Sequence, residues 1–232
     1  MSGSNVELSN GTTLPSDAVV FATGWVQSPP FFEPSLAMEL GIPAPLQSQD
    51  ASTEKYWQGV TNQAEKDLLT TYPILETAPD FYKKELTKTS FRLYRHIVPH
   101  SLVHNRNRSI IFLGMLSNLQ FPIYAEVASL WGVAWMEGLL DDKTLPTSKE
   151  QIDYDIAKFN AWSALRYSSR GRVGMVAGGE IQDIIDLLMV DMGLEPHRKK
   201  YWLSDRFVTY RSQDYKGITQ EFLDKARKVP SS

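Results

Sequence analysis

The sequence contains no cysteine, which removes disulfides, thiolate nucleophiles and cysteine-based zinc sites from consideration. Positive charge is not in excess: 24 Lys and Arg against 27 Asp and Glu give a formal net charge of −3. That balance points neither to nucleic acid nor to an anionic membrane as partner. Long apolar runs are also missing. The longest, residues 121–140, is broken by Glu126, Ser129 and Glu137 and reads as a buried helix rather than a membrane span. The polar start Met1-Ser2-Gly3-Ser4-Asn5 lacks the apolar stretch of a signal peptide, so a cytoplasmic protein is expected. Nor is there any Gly-x-Gly-x-x-Gly ahead of the first buried strand. The glycines Gly171, Gly174, Gly178 and Gly179 have the wrong spacing and follow no buried strand in the sequence pattern, so they read as a flexible loop.

What is present suits an ordinary globular fold: 232 residues, 42% hydrophobic and 11% aromatic. Asn10-Gly11 is a strong two-residue turn signal and predicts a hairpin with a strand from Val6. Residues 18–22 read as a buried strand, and a proline-rich excursion follows Gly24. Mixed helical character covers residues 54–69. Residues 91–94 and 109–114 read as strands, the second buried and ending at Gly114. Helices are predicted over residues 123–139, 148–162 and 180–192, with a short amphipathic one in the tail from Tyr215 to Lys228. Pro122 suits the first turn of the first of these, and Gly193 stops the third. Two or three strands flanked by helices do not complete a doubly wound sheet. The fold class expected is α/β, with a partial sheet, a helical C-terminal portion and an incomplete dinucleotide-binding fold.

The segment Asp17-Ala18-Val19-Val20-Phe21-Ala22-Thr23-Gly24-Trp25 resembles a signature of flavin-containing monooxygenases of the fungal type. Leu93-Tyr94-Arg95-His96-Ile97-Val98-Pro99, residues 109–114, Pro122-Ile123-Tyr124-Ala125-Glu126, Trp131 and Asp191-Met192-Gly193-Leu194 extend that resemblance in order along the chain. The resemblance implies that the chain corresponds to the C-terminal part of such a protein, truncated, in which FAD and NADPH serve small-molecule oxygenation. It divides the chain into a hairpin and Ala-Thr-Gly strand (1–25), a loop-rich insertion (26–90), flavin-proximal strands and helix (91–146) and a helical C-terminal part (147–232). It makes Thr23, Gly24, Gly114, Ser117, Asn118 and Gln120 the flavin-facing positions. A helix N-terminus after the glycine would favour the electron-rich side of a flavin.

Both nucleotide-binding fingerprints are missing, so oxygenation is expected only if an N-terminal half completes the site. The alternative is a truncated, cofactor-independent cyclase or isomerase acting on a polyketide- or terpene-like substrate, with Glu126, His96 or Tyr124 as acid or base. A third reading is a non-catalytic partner, self-associating to cover exposed edges. Each candidate also has a plainer role. Asn118 and Gln120 can simply cap a helix, and Glu126 can be a structural carboxylate. Trp131, Trp135, Trp162, Phe91, Tyr94 and Phe121 can be core rather than pocket lining. His96, His100 and His104 are four apart, but Pro99 argues against the helix that would align them on a metal. The basic runs 166–172 and 197–200 read as solvated surface.

Overall fold

The computed structural model describes residues 5–8, 10–15, 31–77, 87–118, 120–140, 144–171 and 174–227. The strand expected at 18–22, with Thr23 and Gly24, lies outside the described residues. The N-terminal hairpin is as expected. Strands β1 (Asn5–Glu7) and β2 (Thr13–Pro15) pair antiparallel, and the Asn10 side chain closes the turn by accepting from Thr12 N at 3.0 Å.

Beyond a short helix α1 (Pro34–Glu39), the expected loop-rich insertion contains a 21-residue helix, α2 (Ala51–Thr71). The Asp50 carboxylate starts it, accepting from Ser52 N and Thr53 N at 3.0 and 2.9 Å. Strands β3 (Leu93–Tyr94) and β4 (Val98–Pro99) form a small hairpin. A five-residue helix, α3 (His100–His104), follows directly. Pro99 does not block this helix, because it sits at the N-cap with φ −49°, where a missing N–H costs nothing.

The rest of the chain is mostly helical: α4 (Phe121–Met136), α5 (Lys149–Gly171), α6 (Ile181–Asp191), α7 (Trp202–Phe207) and α8 (Ile218–Ala226). Strands β5 (Ser117–Asn118) and β6 (Val176–Ala177) pair in parallel. Every sheet among the described residues has two strands, which agrees with a mixed α/β but incomplete fold.

Helices α2 and α5 pack along one another, and α4 packs on α6. The main core draws on all four, with Trp57, Leu68, Tyr124, Trp131, Trp135, Ile152, Ile185 and Leu188 buried. Each fully buried large apolar side chain contributes about 1.5–3 kcal/mol, so this contiguous cluster dominates stability. The aromatic residues divide as the plainer reading expects. Phe91, Tyr94, Trp131 and Trp135 are 0–1% exposed, whereas Phe121 is 48% exposed.

Gly41 fixes the contact between the α1 turn and the β3 segment. Its φ is +67°, and a Cβ there would overlap the Arg92 carbonyl. The Gly41 carbonyl accepts from Arg92 N at 2.8 Å. Gly41→Ala is expected to cost at least about 2 kcal/mol, from left-handed strain plus the clash. Chemical denaturation with an unchanged m-value would show it; a loss below half that figure would contradict this account.

Candidate functional site

Parallel strands β5 and β6 each run into a helix within a few residues. Asn118 and Ala177 stand opposite one another in register, α4 begins at Phe121 and α6 at Ile181. Both helix N-termini therefore open at the same carboxyl edge of the strand pair, the arrangement in which α/β folds form a ligand crevice. The Gly178–Gly179 pair does follow a strand, β6, and leads into a helix, so it is a strand-to-helix turn rather than a loose loop. No short-range pattern signals a two-residue strand whose partner lies some sixty positions earlier.

Residues 109–114 are not the buried strand that was expected. None of them is in a strand; Phe112 N bonds Ile97 O at 2.8 Å, and only Phe112 among them is buried. Ile111 and Leu113 lie across α4 at Gly132, where a Cβ would stand 2.8 Å from Ile111 Cδ1. The apolar character of the segment is spent on a helix rather than on a sheet. Gly114 is exposed, with φ +75°, and Ser117 N bonds Met175 O at 2.8 Å.

Asn118 ends β5 and Gln120 immediately precedes α4, and neither caps α4. Gln120 occupies the N-cap position without a side-chain bond to the helix, and the Asn118 amide donates backwards to Leu116 O at 3.1 Å. Asn118 Oδ1, Gln120 Oε1 and the Tyr124 hydroxyl are buried with no hydrogen-bond partner. Tyr124 is 0% exposed, and burial raises its phenol pKa further. Buried polar atoms without partners are uncommon and costly, and here three fall within seven residues at one helix end. At the neighbouring α6 end the amide is already used: Gly178 N donates to Tyr167 Oη at 2.8 Å and to Glu180 Oε2 at 3.2 Å. A carboxylate at that end opposes a phosphate, whereas the side-chain polar groups at the α4 end are neutral.

The other proposed acid–base residues do not gather there. Glu126 is exposed on α4, which corrects the reading of a carboxylate on a buried stripe: its position falls on the outer face once Tyr124 and Val127 turn inward. His96 lies in the β3–β4 turn, 8% exposed, with its ring 4.1 Å from that of Phe159. Burial, and then the adjacent Arg95 charge, push its pKa down to about 3 from 6.5. A depressed histidine contributes stability that is fully present above its unfolded value and is lost as pH falls towards the folded one. Between pH 7 and pH 5 this group should cost the fold about 2 kcal/mol. His96→Asn, which tolerates the φ of +63° at this position, should remove that slope in denaturant titrations at the two pH values. A variant with an undiminished slope would assign it to other groups.

Two buried carboxylates organise the surroundings, and neither role is visible in the residue pattern. Asp191, 2% exposed, accepts a bidentate pair from Arg95 at 2.8 and 3.0 Å and the Trp131 indole N–H at 3.0 Å. Arg95 and His96 both adopt left-handed backbone, with φ +53° and +63°. Such residues cost about 1–2 kcal/mol each, and the charge-assisted Arg95 bonds, worth about 1.5–3 kcal/mol each, offset that strain. Asp153, 0% exposed, accepts from Tyr56 Oη at 2.8 Å, His100 Nδ1 at 3.1 Å and Lys149 Nζ at 2.5 Å. It thereby ties α2, α3 and α5 together. His100 is thus committed to Asp153, His96 packs on Phe159 and His104 is exposed. Among the described residues no group of three His, Asp or Glu side chains is placed to hold a metal, and no helix is long and apolar enough to cross a membrane.

Comparison with known proteins adds the family. No protein-family model matches the chain, and no solved structure matches it. An FAD-dependent monooxygenase of Aspergillus nomiae is 32% identical over 218 residues, covering 94% of this chain and 37% of that protein. An FAD-dependent monooxygenase of Fusarium langsethiae is 32% identical over 227 residues, with 95% and 37% covered. One of Alternaria brassicicola is 34% identical over 230 residues, with 97% and 38% covered. The chain spans little more than a third of the length of these relatives while matching nearly all of itself, and it is a part-length homologue of the fungal FAD-dependent monooxygenases.

Proposed function

We propose that the chain forms the flavin-facing crevice of a monooxygenase, and that it takes part in oxygenating a small molecule of natural-product type only when joined to a further portion carrying glycine-rich nucleotide loops. NADPH belongs to that proposal as reductant. The observation that carries it is the carboxyl edge of β5 and β6, where the α4 N-terminus, Asn118, Gln120 and Tyr124 present unfilled polar atoms. These groups fit a flavin: amide oxygens for ring N–H groups, helix N–H groups for ring carbonyls, and the half-exposed Phe121 as an apolar surface beside them. FAD, when bound, supplies the redox chemistry with dioxygen. The chain's own residues bind and orient. Asn118 and Gln120 would hold the ring edge, and the α4 N-terminus would favour negative charge there. Glu180 keeps the neighbouring α6 end unsuited to phosphate, so the pyrophosphate would need its anchor elsewhere.

Equilibrium titration of the purified chain with FAD, read by quenching of flavin fluorescence, tests the crevice. Weak binding is expected, and Asn118→Ala/Gln120→Ala should weaken it by roughly tenfold, the equivalent of about 1.4 kcal/mol. No binding up to about 1 mM FAD, a limit near −4 kcal/mol, would overturn the reading. A cofactor-free cyclase or isomerase draws less support from this geometry. Glu126 faces solvent, and His96 is sealed against Phe159 in a separate hairpin turn. No hydrogen bond among the described residues joins either of them to Tyr124.

A further inference from the structure

We propose that α7 and its flanks form a peripheral docking site for an anionic phospholipid surface. Tyr201, Trp202, Leu203, Phe207 and Val208 are 65, 75, 54, 77 and 52% exposed. Single apolar residues on a surface need no explanation, but five within eight consecutive positions form a patch. Exposure of three quarters for both Trp202 and Phe207 describes a convex tip, not a groove. The tip is also fixed in place. Asp205 accepts from Tyr210 Oη and pairs with His197 Nδ1 at 2.7 Å, while Lys199 Nζ donates to Thr209 O at 2.9 Å. Helix α7 has no buried residue of its own, so the aromatic side chains on it are not part of the core.

Charge selects the occupant. Residues 197–211 hold five Lys and Arg against one acidic residue, Asp205, a local balance of +4 on a chain whose net charge is −3. The remainder therefore carries −7, and the overall composition conceals a basic patch. Arg198 is committed to Glu221 at 2.9 Å, but Lys200, Arg206 and Arg211 are exposed around the tip. A second copy docked symmetrically would bring two basic rims together, which like-charge repulsion opposes. A rigid protein partner would need a recess matching the tip. A bilayer interface needs none: Trp and Tyr settle at headgroup level, and Lys and Arg gain from anionic headgroups.

The test is sedimentation of the full chain with sucrose-loaded vesicles of phosphatidylcholine alone or with about 30 mol % phosphatidylserine. At least tenfold more chain should pellet with phosphatidylserine, falling several-fold when salt rises from about 0.1 to 0.5 M. Trp202→Ala/Phe207→Ala should lose the anionic binding by a similar factor while keeping its circular dichroism and melting temperature, because both residues lie outside the core. Equal pelleting on both vesicles, or a variant that binds like the parent chain, would overturn the proposal. So would an absence of vesicle binding together with a dimer in sedimentation equilibrium that the same variant dissociates.

Discussion

Replacing Asp191 by alanine is expected to lower the stability of the chain by about 3–4 kcal/mol. The carboxylate is buried and accepts three hydrogen bonds, two from Arg95 and one from Trp131. Its removal leaves the indole N–H without a partner inside the core and the Arg95 guanidinium without its counter-ion. The Arg95 side chain is 17% exposed, so water relieves part of that second penalty and the loss stays below the upper range for a broken buried pair. For a chain of this size the melting temperature should fall by roughly 6–16 °C. The double variant Arg95→Met/Asp191→Leu should recover part of the loss, since no unpaired charge remains. If it were as unstable as the sum of the two single variants, the ion pair would not be what holds the β3–β4 turn onto α6.

Asp153→Asn is expected to cost about 2–3 kcal/mol. It comes second because one of its three donors, Lys149, is 45% exposed and hydrates readily once released. The pH dependence gives a separate signature. Burial raises the Asp153 pKa, but the His100 and Lys149 hydrogen bonds outweigh it and hold the carboxyl below its usual 3.8. With the folded pKa below the unfolded one, this contribution is fully present above pH 3.8 and declines as pH falls through the folded value. The gap between the parent chain and Asp153→Asn should therefore narrow as pH falls below 3.8 through the folded value. Denaturant midpoints at several pH values measure it. A gap that widened in acid would show that the carboxyl is not held in its charged form.

Much of the architecture was legible in the residues alone. The Asn10-Gly11 turn, the α4 start beside Pro122, the α6 stop at Gly193 and the absence of nucleotide-binding glycine loops are local signals, set by backbone sterics and by periodicity within a few residues. The family was legible for the same reason, since its motifs are contiguous. Long-range pairing was not. The run Ser109-Ile110-Ile111-Phe112-Leu113 has the composition of a buried strand, yet it crosses α4 at Gly132. The strand that does pair is Ser117-Asn118, whose partner only tertiary contact supplies. Asp153, Asp191 and Glu180 look like surface acids because a one-dimensional pattern cannot say which donors will converge on them. Glu126 looked buried because its helix is apolar, but helix rotation is decided by what packs on either side. The sequence by itself determined a mixed, incomplete α/β chain with a monooxygenase likeness. Only the tertiary structure decided which carboxylates become buried cross-links, which helix ends meet at the edge of β5 and β6 and which aromatic residues remain outside, because each depends on partners distant in sequence.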